Sequence, residues 1–160
     1  MSYSHLDSKE QPGMVDVSEK GTTSRLATAA VTVVLGPDIT TELSSNAFTT
    51  KKGSIIQTAI IAGTMAAKRT WDTIPLCHNI PLSSIKFATE VIPEVGVRIL
   101  ATVKTSAQTG VEMEALHAAS VAALTVYDMC KSRSHSIQIT DLKLLEKTGG
   151  KSDYRAPKTS

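Results

Sequence analysis

The order in which hydrophobic periodicity changes along these 160 residues predicts an α+β domain. Three observations carry that prediction. Residues 25–35 alternate like a strand, Ser54-Ile-Ile-Gln57 opens a run with helical spacing, and two alternating segments flank the turn Pro93-Glu-Val-Gly96. Completed by a second helix and a last strand, the order is strand, helix, strand, strand, helix, strand. This is the ferredoxin-like arrangement, an antiparallel sheet covered by helices.

Each element has its own warrant. In the first strand Ala27, Ala29, Val31, Val33 and Leu35 share one face. A short helix is expected over 38–46. The helix after Ser54 keeps apolar residues at 56, 59, 60, 63, 66 and 67, and Lys68 and Arg69 suit its C-terminal end. The hairpin spans 82–92 and 96–106, with Ile85, Phe87, Thr89 and Val91 facing one way on its first strand. Val97, Ile99, Ala101 and Val103 do so on its second. Thr109-Gly-Val-Glu112 has the form of a capping box and predicts a helix running to about Lys131. That helix is small or apolar all round from 115 to 127, which asks for burial on more than one side, by the sheet and by a second subunit. The last strand, near 136–146, carries Ile137, Ile139, Leu142 and Leu144; its alternation slips after Thr140, where a bulge fits.

The chain reads as one domain over 14–152, with a flexible tail at 1–13 and a loose end at 153–160. A 41% apolar and 20% charged composition is that of a globular protein. The net charge of +2 is too small for nucleic-acid wrapping or membrane-surface binding, so any anion site is local. Cys77 and Cys130 are the only cysteines, which points away from a disulfide framework. The first residues have neither an apolar core nor an Arg-rich amphipathic pattern, and no apolar run is long enough to span a bilayer. A cytoplasmic protein is expected.

Several residues could carry chemistry. Cys77-His78, between Pro75 and Pro81, has three readings: metal ligands, a nucleophile with its base, or a clamp for an anion. Adjacent ligands without a second Cys/His cluster make a poor metal site. The local sequence also shows no cation or helix N-terminus to lower the thiol pKa. A small buried Cys and a His satisfied by backbone would explain the pair equally well. Asp128 and Lys131, three apart near a helix end, can hold a base and a proton donor in register. A surface ion pair is the bland alternative, weakened by the apolar run Val126-Tyr-Asp-Met-Cys130. Glu112 is explained by capping, whereas Glu114 lies beyond the cap, in line with Ala118, Val121, Thr125 and Asp128. Basic groups recur at Lys51-Lys52, Lys68-Arg69, Lys147 and Lys151. Lys-Thr-Gly-Gly-Lys-Ser lacks the spacing of a P-loop, although a Gly-Gly turn between lysines can approach a phosphate closely.

Taken together, Met-Val-Asp-Val-Ser (14–18), Ala-Ala-Lys-Arg-Thr-Trp-Asp (66–72), Ile-Pro-Leu-Cys-His (74–78), Thr-Gly-Val-Glu-Met-Glu-Ala-Leu (109–116), Ala-Ala-Ser-Val-Ala-Ala-Leu-Thr-Val-Tyr-Asp-Met-Cys-Lys (118–131) and Gly-Gly-Lys-Ser (149–152) resemble the MoaC family. Its members are the cyclic pyranopterin monophosphate synthases of molybdenum cofactor biosynthesis. The likeness runs from Met14 to Ser152. It implies a lyase that rearranges a 3′,8-cyclised dihydro-GTP into cyclic pyranopterin monophosphate with loss of pyrophosphate. It also implies that Asp128 and Lys131 are the catalytic pair. Substrate contacts fall on Leu76, Cys77, His78, Met113 and Glu114, on Lys52 and Arg25, and on Lys147 near the triphosphate. No cofactor or protein-bound metal is implied, although Mg²⁺ could accompany the pyrophosphate. The resemblance further implies a homohexamer, a trimer of dimers. The family usually has Pro where this chain has Asn79, and Asp or Asn where it has Ser54. A non-catalytic nucleotide-binding module is the rival reading, since ferredoxin-like folds often serve that way.

Finally, Glu114 and Asp128 lie on one predicted helix, about 21 Å apart at 1.5 Å per residue. One chain cannot bring both to a single nucleotide. A site shared between subunits is the expectation.

Overall fold

The computed structural model describes residues 11–51 and 53–157. Its elements, in chain order, are β1 (Thr23–Val34), α1 (Pro37–Ser45), β2 (Thr49–Thr50), β3 (Gly53–Ser54), α2 (Ile55–Ala67), α3 (Thr70–Thr73), β4 (Ser84–Ile92), β5 (Gly96–Ala107), α4 (Glu112–Cys130), β6 (Gln138–Thr148) and β7 (Tyr154–Arg155). The main sheet has the order β4-β5-β1-β6-β7, antiparallel throughout, and β2-β3 form a separate small hairpin. Without β7 this is the ferredoxin-like order that the sequence predicts.

The centre of the sheet is built from small and β-branched residues at matched positions. Ala27, Ala29, Val31 and Val33 of β1 stand opposite Val103, Ala101, Ile99 and Val97 of β5, and all eight are buried. Small side chains in this layer let α4 lie close to the sheet through Ala115, Ala118, Ala119, Ala122 and Ala123, none of them exposed. The other side of α4 is covered by α2. The expectation that a second subunit must provide that cover is therefore corrected: the chain supplies it. The large apolar residues that stay exposed on these two helices are Ile61 (64%), Met65 (43%), Met113 (38%) and Leu124 (57%).

Local signals hold at most ends. Ser54 caps α2, its hydroxyl accepting from the Gln57 N–H. The slip after Thr140 is a bulge: Asp141 has φ 54°, and the pairing of β6 with β1 shifts between Thr140 and Lys143. A second shift falls between Leu144 and Glu146. Two features differ from the sequence reading. Thr109 caps nothing; α4 opens two residues later, after Val111, without a side-chain cap. Glu112 instead reaches across to Lys147 of β6, at 3.0 Å, so the partner in the next strand outcompetes the backbone N–H groups behind it. At the C-terminal end, Tyr154 and Arg155 are not loose but pair with Lys147 and Glu146. The tail expected at 1–13 lies outside the described residues over 1–10.

Candidate functional site

Where α4 begins, three stretches far apart in sequence converge on a cavity of about 430 Å³. The loop after α3 contributes Leu76, Cys77 and His78; the start of α4 contributes Glu112, Met113 and Glu114; β6 contributes Lys147. A fourth wall was not anticipated: the segment before β1, with Val15, Val17 and Lys20. It is fastened to the others by side chains. His78 donates from Nε2 to the Val15 carbonyl at 2.7 Å, and Gln108 donates to the Ser18 carbonyl at 3.4 Å. With Nε2–H committed to a carbonyl, the neutral His78 ring has Nδ1 as its acceptor.

Burial decides the chemistry of Glu114 and of the thiol. Glu114 is 4% exposed, and burial pushes its carboxyl up to about 7, with its own backbone N–H opposing and the charge of Glu112 adding to the rise. A carboxyl poised there can take or give a proton near neutral pH. Burial also raises the Cys77 thiol, and the nearby Glu114 raises it further. The thiol is thereby held protonated, which disfavours the nucleophile reading.

Beside this cavity lies a recess of about 200 Å³ that shares Gly110, Glu112 and Lys147 with it and adds Arg25, Gly150 and Lys151. Arg25 is committed to structure: its Nε and Nη2 donate to the carbonyls of Ala107 and Gln108, each at 3.0 Å. The Gly149-Gly150 turn is explained by packing. A Cβ on Gly149, at φ 82°, would come within 2.0 Å of the Ser24 carbonyl oxygen.

Asp128 and Lys131 are not in this cavity. They form an ion pair of 2.6 Å at the far end of α4, with side chains 68% and 58% exposed. The Asp128 carboxylate raises the Lys131 ammonium, first by hydrogen bond and then by charge. A second cavity, about 490 Å³, lies at the same end of α4; Met129, Cys130 and Lys51 are among the residues that line it. Lys52, expected to contact substrate, lies outside the described residues. Among the described residues, no three His, Cys, Asp or Glu side chains are grouped as metal ligands.

The structure thus joins Leu76, Cys77, His78, Met113, Glu114 and Lys147, sets Arg25 beside them, and separates Asp128 and Lys131. Sequence reasoning missed Glu112 and Lys20 as lining residues. Glu112 was hidden by its resemblance to a capping residue. Lys20 follows the Met-Val-Asp-Val-Ser stretch, which local pattern alone gives no role.

Known proteins match this chain over most of its length. The MoaC family matches residues 14–150. A cyclic pyranopterin monophosphate synthase of Xanthomonas campestris pv. campestris (strain B100) is 49% identical over 152 residues, 95% of this chain and 92% of that protein. One from Nostoc sp. (strain PCC 7120 / SAG 25.82 / UTEX 2576) is 51% identical over 160 residues, covering 98% and 93%. Molybdenum cofactor biosynthesis protein 1 of Drosophila melanogaster is 54% identical over 152 residues, 94% of this chain; the match spans only 26% of that longer protein.

Proposed function

Because the chain belongs to the MoaC family, we propose that it is a cyclic pyranopterin monophosphate synthase. It converts (8S)-3′,8-cyclo-7,8-dihydroguanosine 5′-triphosphate to cyclic pyranopterin monophosphate and diphosphate in molybdenum cofactor biosynthesis. The observation that carries the reading is the convergence of Leu76-Cys77-His78, Met113-Glu114 and Lys147 on one cavity at the start of α4. The cavity offers what such a reaction needs of its binding half. Lys147, with Arg25 next to it, meets the phosphates; the loop at 76–78 and Met113 flank the base and sugar; Glu114 offers a carboxyl able to hold a proton at neutral pH.

The acid–base work belongs to Asp128 and Lys131 on this reading, with Lys52 among the substrate contacts. An exposed ion pair lacks the dry surroundings that make such a pair effective, so a neighbouring subunit must cover it. The chain then works as a homohexamer, a trimer of dimers, in which one subunit's Glu114 end of α4 meets another's Asp128 end. The exposed Ile61, Met65 and Leu124 support an assembled state. Residues 14–152 form the catalytic domain. The enzyme needs no cofactor, any Mg²⁺ arriving with the phosphates. No helix among the described residues is long and apolar enough to cross a membrane, and a cytoplasmic location fits the substrate.

Incubation with the cyclised dihydro-GTP, followed by mass spectrometry, should yield cyclic pyranopterin monophosphate and diphosphate. Asp128→Asn should still bind the substrate while losing turnover by at least a hundredfold, in line with removal of a general acid–base group. Binding without product from the native chain would instead favour a nucleotide-binding regulatory module.

A further inference from the structure

The loop that carries Leu76, Cys77 and His78 starts from α3, a single turn of four residues, Thr70–Thr73. One turn has no cooperativity of its own, so its place comes from what it touches. Trp71, Asp72 and Thr73 are exposed, whereas Thr70 is buried, with 1% exposure. The Thr70 side chain is the hold on this segment.

A buried hydroxyl needs partners. That of Thr70 lies 3.1 Å from the Ala67 carbonyl and 3.3 Å from the Ala66 carbonyl, at the C-terminal end of α2, and 3.2 Å from Nδ1 of His117. Carbonyls only accept, and those at a helix end lack partners within the helix. The hydroxyl therefore donates its one proton to them. Its oxygen is left to accept, and the Nδ1–H of His117 is the donor. His117 sits on α4 three residues after Glu114, hence on the same flank of that helix. From Thr70 the bonds run on into the loop. The Ile74 N–H donates to the Thr70 carbonyl at 2.8 Å, and the Cys77 N–H donates to the Ile74 carbonyl at 3.0 Å. At its far end the loop is tied to the sheet by the Thr105 hydroxyl, which donates to the Pro81 carbonyl at 2.5 Å.

We propose that His117 is a positioning residue for the cavity at the start of α4: acting through Thr70, it locks the loop at 76–78 to the helix that carries Glu114. The proposal rests on the function proposed above and adds a residue that does not itself line the cavity. Met113 and Glu114 form one wall and the loop forms another. Two walls grip one nucleotide only while their spacing is fixed, and small misplacements are costly. A bond from the helix to the root of the loop fixes that spacing.

The test compares three variants with the native chain by hydrogen exchange and by kinetics. His117→Asn keeps an N–H donor at the place of Nδ1, His117→Gln moves it to the place of Nε2, and His117→Leu removes it. Amide exchange in the segment 70–78, read by mass spectrometry without substrate, should quicken about threefold to tenfold in the Leu and Gln variants. The Asn variant should exchange as the native chain does, and β1 and β5 should be unchanged in all three. With the cyclised dihydro-GTP, KM should rise by a similar factor in the Leu and Gln variants, with kcat little changed, and should recover in the Asn variant. Should the Leu variant not fold, the contrast between Asn and Gln decides alone. Native exchange in the Leu or Gln variant overturns the proposal, and so does equal impairment of Asn and Gln, which would put ring bulk in place of the Nδ1–H bond. Faster exchange with an unchanged KM reduces the contact to a structural one and also overturns it. Product from the native chain leaves the proposed activity standing in each of these cases. No product from the native chain overturns that activity and the role in it, while the exchange contrast still decides the bond.

Discussion

Burial leaves the Glu114 carboxyl to ionise near pH 7, against 4.5 for a free glutamate. The folded chain therefore holds this proton more tightly than the unfolded chain does. Its contribution to stability is full below about pH 4.5 and is lost as the pH rises through about 7. The interval corresponds to about 3 kcal/mol, an upper figure for one carboxyl. Glu114→Gln keeps the shape and removes the ionisation. Urea unfolding of the two proteins should give similar stabilities at pH 4 and a gain for the variant at pH 8 approaching that figure. Equal pH dependence in both would mean that Glu114 is hydrated in solution. The same residue shows where sequence reasoning reaches its limit. That Glu114 is distinct from Glu112 was legible, because only one of them fitted a cap. Its raised pKa was not, because it depends on β6 and the loop at 76–78 closing over it. Lys20 was illegible for a related reason: nothing local distinguishes a cation facing a cavity from one facing water.

At the scale of elements, packing distances overrule helix propensity. Gly63 lies inside α2, where alanine would ordinarily gain up to about 1 kcal/mol. A Cβ there would come 2.6 Å from the Phe87 ring and 2.7 Å from the Ala118 carbonyl oxygen. The ring can turn aside; a carbonyl held within α4 cannot. Overpacking of this kind costs about 1–3 kcal/mol, so Gly63→Ala should lower the unfolding midpoint despite its better propensity. A rise would mean that α2 can slide on α4 at no cost. Where one neighbour decided the outcome, as with Ser54 and Gln57 or the alternation of β1 and β5, the sequence was sufficient. Where a distant partner competed, it was not. Glu112 chose Lys147 over the cap, and the apolar girth of α4 was satisfied by α2 rather than by another chain.

For the whole molecule the decisive dimension is the length of α4. On the proposed function its two ends carry different parts of the chemistry, and the roughly 21 Å between Glu114 and Asp128 exceeds what one nucleotide bridges. Two variants that are each inactive, Glu114→Ala and Asp128→Ala, should therefore complement when their subunits are exchanged. If each site draws one end from each of two subunits, random mixing leaves about a quarter of the sites free of both changes, and activity should recover to about that fraction. No recovery despite proven exchange would place both ends of the chemistry in one chain and remove the argument for sharing.

The position of β1 in the sheet has a consequence for how the protein is made. It is the first strand of the domain to be synthesised, yet it lies between β5 and β6, and both of its edges are satisfied only by segments that follow much later. About a hundred residues separate the end of β1 from the end of β6, roughly 5–20 s at ordinary rates of translation. Throughout that interval a ribosome-bound chain carries Ala27, Ala29, Val31 and Val33 on a strand with no partner on one side or on both. The β4-β5 hairpin can form as soon as it emerges and offers β1 its first edge; the second waits for the sheet's last long strand. The nascent chain, more than the finished fold, is the form of this protein that calls for a chaperone.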